Sequence, residues 1–295
     1  MLKLRPFCRS ALWGGKKLKE KYGFAFEGEN LAEAWVLAAH RDGASIVENG
    51  PHAGESLLEY WGGNPHFPLM VKLIDAAEDL SVQVHPTDEY ALRWEGQSGK
   101  TEMWYVLDAE PGAYLILGPE RELTAEEFRC HVENNTLSQV LHRQYVHRGE
   151  AYLIPPGTIH AIGKGILVAE VQQNSTLTYR IYDYGRRDNA GNLRELHIEK
   201  ACAVSCLKPY RAEENFGPHL VTCPYFTVDL CHAPQQDSCR PGEILAVLIL
   251  DGEGTVRDAR DCFAIKQGDS ILLEEGNFQI DGSCRYLRIR AAIEN

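Results

Sequence analysis

Residues 80–85, Leu-Ser-Val-Gln-Val-His, alternate apolar and polar side chains without a break, and Pro86 ends the run. Period two is the mark of a strand with one buried face, and proline cannot donate the next ladder hydrogen bond. The alternation assigns Leu80, Val82 and Val84 to one face and Ser81, Gln83 and His85 to the other. Comparable segments recur at 100–107, 113–117, 151–154, 166–172, 178–182, 226–231, 245–250, 270–273 and 286–289, with glycine and proline between them. Many short strands with such punctuation predict an all-β dominated chain of sandwich or barrel type.

Helical signals are few. Thr124 and Glu127 form a capping-box pattern, and Thr136 and Gln139 repeat it twelve residues on. Residues 121–143 are therefore predicted as a short helical insertion, and 198–207 as one more helix. Pro209 and the acidic pair Glu213 and Glu214 suggest a division into 1–207 and 208–295. The chain length of 295 residues agrees with about two domains.

With 30 Lys+Arg against 42 Asp+Glu the net charge is −12, which argues against nucleic acid or an anionic membrane surface as a partner. The longest apolar run, 244–250, is far below the ~20 residues of a membrane span. The N-terminal segment lacks the apolar region of a secretory signal. Nine cysteines, an odd number with no Cys-x-x-Cys, are expected as reduced thiols in a cytoplasmic protein. Cys202 and Cys206, four apart on the expected helix, are predicted to meet in a core.

Metal-binding residue types recur at strand positions in the first half. Gln83 and His85 share a strand face, Glu102 lies on a separate strand, and His160 follows the turn Pro155-Pro156-Gly157. Two imidazoles and a carboxylate form a catalytic metal set with a position left open, and a glutamine oxygen can add a neutral ligand. Lys100 shares the strand face of Glu102, and Arg180 that of Thr178 and Tyr182. Lys72 is a third cation placed around this set.

The segments SVQVHP (81–86), GKTEMWYVLDA (99–109), IPPGTIHAIG (154–163), VQQNSTLTYRIYDYGR (171–186) and ELHIEKA (195–201) resemble, in this order, the short bacterial form of the type I mannose-6-phosphate isomerases. The resemblance implies two cupin-type (jelly-roll) β-barrels, catalytic in 1–207 and metal-free in 208–295. It implies a metal-dependent aldose–ketose isomerase acting on mannose 6-phosphate and fructose 6-phosphate. The metal ligands would be Gln83, His85, Glu102 and His160. They would hold one zinc ion per chain, at a site other divalent metals could also enter. Arg180 and Lys100 would be catalytic, and Lys72, Ser81, Lys100 and Arg180 would contact substrate. The general base stays open among Lys100 with a metal-bound water, Glu170 and Asp183. The oligomeric state is not legible. The alternatives are a non-haem iron oxygenase, which uses a similar ligand set, and a non-catalytic sugar-binding module.

Overall fold

The computed structural model describes residues 1–64, 66–187, 191–211 and 217–293. Its strands are β1 (Leu2–Arg5), β2 (Phe7–Arg9), β3 (Glu33–Leu37), β4 (Ala39–His40), β5 (Gly43–Ala44), β6 (Ile46–Val47), β7 (Leu69–Ala76), β8 (Val82–Val84), β9 (Glu102–Ala109), β10 (Tyr114–Pro119) and β11 (Leu141–Tyr145). They continue as β12 (Ala151–Ile154), β13 (His160–Ile162), β14 (Ile166–Gln173), β15 (Tyr179–Tyr182), β16 (His219–Thr222), β17 (Thr227–His232), β18 (Gln235–Cys239), β19 (Glu243–Arg257), β20 (Cys262–Lys266), β21 (Ser270–Leu273) and β22 (Gly276–Ala292). The α-helices are short: α1 (Lys17–Glu20), α2 (Leu57–Tyr60), α3 (Asp88–Trp94), α4 (Ala125–Glu133) and α5 (Ile198–Val204).

Three sheets carry the architecture. A five-stranded sheet, β11-β10-β13-β8-β15, faces a six-stranded sheet, β12-β9-β14-β7-β3-β2. Leu115, Leu117 and Ile162 from the first meet Trp104, Val106, Val168 and Ile74 from the second in one core. The outer face of the five-stranded sheet, with Val82, Val84, Ile116 and Ile181, packs under Phe128 and Val132 of α4 and Ala201 of α5. The outer face of the six-stranded sheet offers Met103, Tyr105, Leu107, Leu167 and Val171 to Ala246, Leu248, Leu287 and Ile289. These last belong to a nine-stranded sheet that closes on its own core of Val247, Ile249, Val256, Ile271, Ile280 and Tyr286. Each such side chain contributes about 1.5–3 kcal/mol of burial, so alternate residues of one strand serve two separate cores.

The expected jelly-roll architecture is observed. The two units interlock across the division expected at 207/208: β1 pairs β21, so the N-terminal strand lies in the C-terminal sheet. Glu213 and Glu214 lie outside the described residues. The Thr124–Glu127 capping box forms. The second box does not: residues 137–139 make one 3-10 turn without a side-chain cap. Thr136 Oγ1 instead lies 2.9 Å from His131 Nδ1. The last helix stops at Val204, so Cys206 is exposed and does not join Cys202 in a core. No disulfide links the nine cysteines, three of which are exposed. Among the described residues no helix is long and apolar enough to cross a membrane.

β19 and β22 pair along most of their length and coil from one side of the second unit to the other. Gly252 permits this, because its φ is +78° and an added Cβ would lie 2.0 Å from Ser283 O. Gly252→Ala is expected to lower stability by more than about 1 kcal/mol, since both the left-handed backbone and the strand contact oppose it. Thermal unfolding of the variant against the unmodified protein checks this.

Candidate metal centre

Directly paired residues of an antiparallel sheet project to the same side. In the five-stranded sheet Leu117, His160, Gln83 and Arg180 stand in one row. Leu117 packs between the sheets, so the row points inward. In the facing sheet one inward row is Ile154, Glu102, Gln172 and Met70, and the next is Tyr152, Trp104, Glu170, Lys72 and Trp35. His85 follows β8 directly, and Lys100 stands two residues ahead of Glu102. The polar rows therefore converge at one end of a sandwich whose other end is apolar.

The donor atoms of His85, Glu102 and His160 lie within 4.8 Å of one another. Glu102 bridges the rings: Oε2 is 3.4 Å from His85 Nε2, and Oε1 is 3.3 Å from His160 Nε2. All three residues have at most 1% of their surface exposed. Each imidazole is anchored from behind. His85 Nδ1 donates to Leu177 O at 2.9 Å, and His160 Nδ1 to Thr158 O at 2.8 Å. A carbonyl can only accept, so both Nδ1 atoms carry the proton and both Nε2 lone pairs face the centre. Burial, helped by the charge of Lys100, holds His85 down at about 4, and burial also lowers His160, so both rings are neutral ligands at physiological pH.

Neither Glu102 oxygen nor His160 Nε2 makes a hydrogen bond of good geometry among the described residues, Lys100 being an ion-pair partner of Oε2 only. A buried carboxylate in that condition is costly, and a cation between the three groups relieves it. The donor set thus fits a divalent metal. Burial acts to raise the Glu102 carboxyl, but Lys100 and His85 together hold it well below the usual range. Gln83 flanks His160 in the same row.

Lys100 is the nearest cation. Its Nζ is 2.5 Å from Glu102 Oε2, 3.3 Å from His85 Nε2 and 3.7 Å from Glu170 Oε1. Burial works against its charge, yet Glu102 and Glu170 raise it above the ordinary lysine value. Lys72 Nζ lies 3.0 Å from Glu170 Oε1 and over the Trp35 ring. Trp104 Nε1 donates to Glu170 Oε2 at 2.9 Å. Arg180 is half-buried. Its Nη1 donates to Glu195 O at 3.0 Å, its backbone N–H donates to His197 Nδ1, and its Nε has no partner among the described residues. Ser81 is buried one residue before β8.

Asp183, one of the three options for the base, is gripped by Arg186 and Arg194, the latter at 2.6 Å to each oxygen. Those charges keep its carboxyl low although burial pushes the other way. Sequence reasoning missed Gln172, which shares the Glu102 row and whose Nε2 donates to Gln173 O and Ser175 O. The alternation of Val168, Glu170 and Gln172 was the available signal. It also missed Leu177 O and Thr158 O, which are backbone groups and carry no side-chain signal.

Fold and site together define a double jelly-roll protein with a buried His–Glu–His group that could hold a metal ion and a lysine beside it. Two family profiles match the chain: "Phosphomannose isomerase type I, catalytic domain" over residues 1–115 and "Mannose-6-phosphate isomerase, cupin domain" over 218–291. Mannose-6-phosphate isomerase ManA of Bacillus subtilis is 36% identical over 300 residues, covering 94% of this chain and 95% of its own. The mannose-6-phosphate isomerase of Streptococcus mutans is 36% identical over 306 residues, covering 96% of both. A crystal structure of the mannose 6-phosphate isomerase from Bacillus subtilis superposes with a TM-score of 0.88 at 32% identity, covering 98% of both chains. The chain belongs to the type I mannose-6-phosphate isomerase family.

Glu102→Gln keeps the shape of the bridge and removes its charge. Loss of a residue that merely supports a ligand weakens metal binding about 10–100-fold. The variant is therefore expected to lose metal by at least the lower figure, measured as metal per chain after dialysis against a chelator.

Proposed function

We propose that the chain is a metal-dependent aldose–ketose isomerase that interconverts mannose 6-phosphate and fructose 6-phosphate. The observation that carries this reading is the buried Glu102–His160 donor set, without hydrogen bonds of good geometry and with Lys100 ion-paired to Glu102. Gln83, His85, Glu102 and His160 would hold one zinc ion, or another divalent ion of similar ligand preference. When bound, that ion supplies Lewis-acid stabilisation of charge on a carbonyl or hydroxyl oxygen.

The reaction moves a proton between C1 and C2 through an enediol, and its barrier is negative charge growing on oxygen. Arg180 stabilises that charge with a fork that is charged at any working pH. Its hydrogen bond to Glu195 O fixes the plane of the guanidinium. Lys100 is held protonated between Glu102 and Glu170 and would donate a hydrogen bond to the oxygen on which charge grows, the base that moves the carbon-bound proton staying open. Glu170 has one oxygen on Lys72 and the other on Trp104, so it serves to fix the two lysines. Lys72 and Ser81, with Lys100, form the anion-binding wall for the phosphate. On this reading the enzyme is cytoplasmic, its partner is a small sugar phosphate, and neither nucleic acid nor membrane is involved.

Arg180→Ala is expected to lower kcat by about 10²–10³, the cost of removing one charge-stabilising donor, with metal content unchanged. A coupled assay on metal-analysed protein, run with mannose 6-phosphate and with mannose, reads both the reaction and the phosphate requirement. Wild-type turnover by the variant would overturn the assignment. Oxygen uptake with tightly held ferrous iron would favour an oxygenase, and sugar binding without turnover a binding module.

A further inference from the structure

A cavity of about 190 Å³ lies in the seam between the six-stranded sheet and the C-terminal unit, away from the metal centre. That is room for about six waters. Its polar lining comes from both sides: Lys21, Tyr22, Tyr105, Asp108 and Arg148 from the first unit, Gln267 and Arg285 from the second. Tyr105 projects from the outer face of β9 and is only 2% exposed. Its hydroxyl makes no hydrogen bond to the described residues, although a buried phenol ordinarily finds one.

The cations around it keep donors in reserve. Arg285 gives Nε and Nη2 to Asp251, at 3.0 and 2.5 Å, which leaves Nη1 free for another acceptor. Arg148 reaches the same carboxylate only at 3.6 Å. Lys21 spends one contact on Asp108, at 2.7 Å. Three cations against Asp108 and Asp251 leave the cavity positive inside a chain of net charge −12. The open charged groups are the donors of Lys21, Arg148 and Arg285, and the local charge is positive, which is the recognition chemistry of an oxyanion.

We propose that this seam cavity binds a small phosphate-type oxyanion, supplied either as free phosphate or as the phosphate of a sugar phosphate. The site backs onto β9, the strand whose inner face carries Glu102. Its occupant would tie the two units together behind the catalytic centre.

Equilibrium dialysis of the holoenzyme tests this. One arm uses inorganic phosphate with the catalytic site saturated by an equilibrated mixture of mannose 6-phosphate and fructose 6-phosphate. The other arm counts the sugar phosphate itself. Wild type is expected to hold one more phosphate-bearing ligand per chain than Tyr105→Phe or Arg148→Gln, with kcat and KM of both variants unchanged. Extra inorganic phosphate identifies the free ion as the occupant, and a second sugar phosphate identifies the ester. Equal occupancy in wild type and both variants, in both arms, would overturn the proposal and leave the cavity to water. Arg148 is 63% exposed, so its substitution leaves the fold intact even where Tyr105→Phe does not.

Discussion

The Glu102 carboxylate sets the terms for the rest of the N-terminal unit. It is fully buried, it stands between two imidazoles, and neither oxygen has a hydrogen-bond donor of good geometry. A charge in that position persists only if other charges are held against it. Lys100 supplies one, and a bound divalent ion would supply the larger one. The surrounding structure keeps those partners in place. Carbonyls of Leu177 and Thr158 orient the imidazoles, and Glu170 holds Lys72 while lying close to Lys100. The metal centre is thus assembled from two facing sheets, and the packing between those sheets determines its geometry.

β9 shows how one strand serves chemistry and assembly together. Glu102 and Trp104 face the site, while Met103, Tyr105 and Leu107 are packed against the C-terminal unit. The C-terminal unit therefore has a mechanical role. It buries the outer face of the six-stranded sheet, which would otherwise expose a broad apolar surface. β1 strengthens this by adding the first residues of the chain to the last sheet. Position along the chain and position in the fold part company here, because strand pairing depends on ladder hydrogen bonds between segments far apart in sequence.

Much of the site was legible because strand alternation is a local rule. Period two puts Gln83 with His85 and Lys100 with Glu102 on shared faces and Arg180 on one face of its strand, while which face is inward follows from the sheet packing. What local rules cannot supply is register across strands. That Gln83 stands between His160 and Arg180 follows from pairing of distant segments. Glu170 and Asp183 look alike as carboxylates near the same strands. Only the structure separates them, placing one between two lysines of the site and the other between Arg186 and Arg194. Local capping rules fared unevenly: Thr124 caps α4, whereas Thr136 engages His131, five residues back in the last turn of that helix.

The charge balance of the centre follows from these contacts. Lys72 and Lys100 face Glu102 and Glu170, so the inner group sums to zero before a metal is counted. A divalent ion would raise it to +2, and Arg180 adds one more positive charge at the edge. A phosphate monoester carries about two negative charges near neutral pH. Such a centre would carry +1 with Arg180 alone and +3 with the metal, so metal loading would greatly strengthen its attraction for the substrate. The acidic surface, at net −12, then serves solubility, and metal loading would control both the chemistry and the electrostatic attraction of substrate.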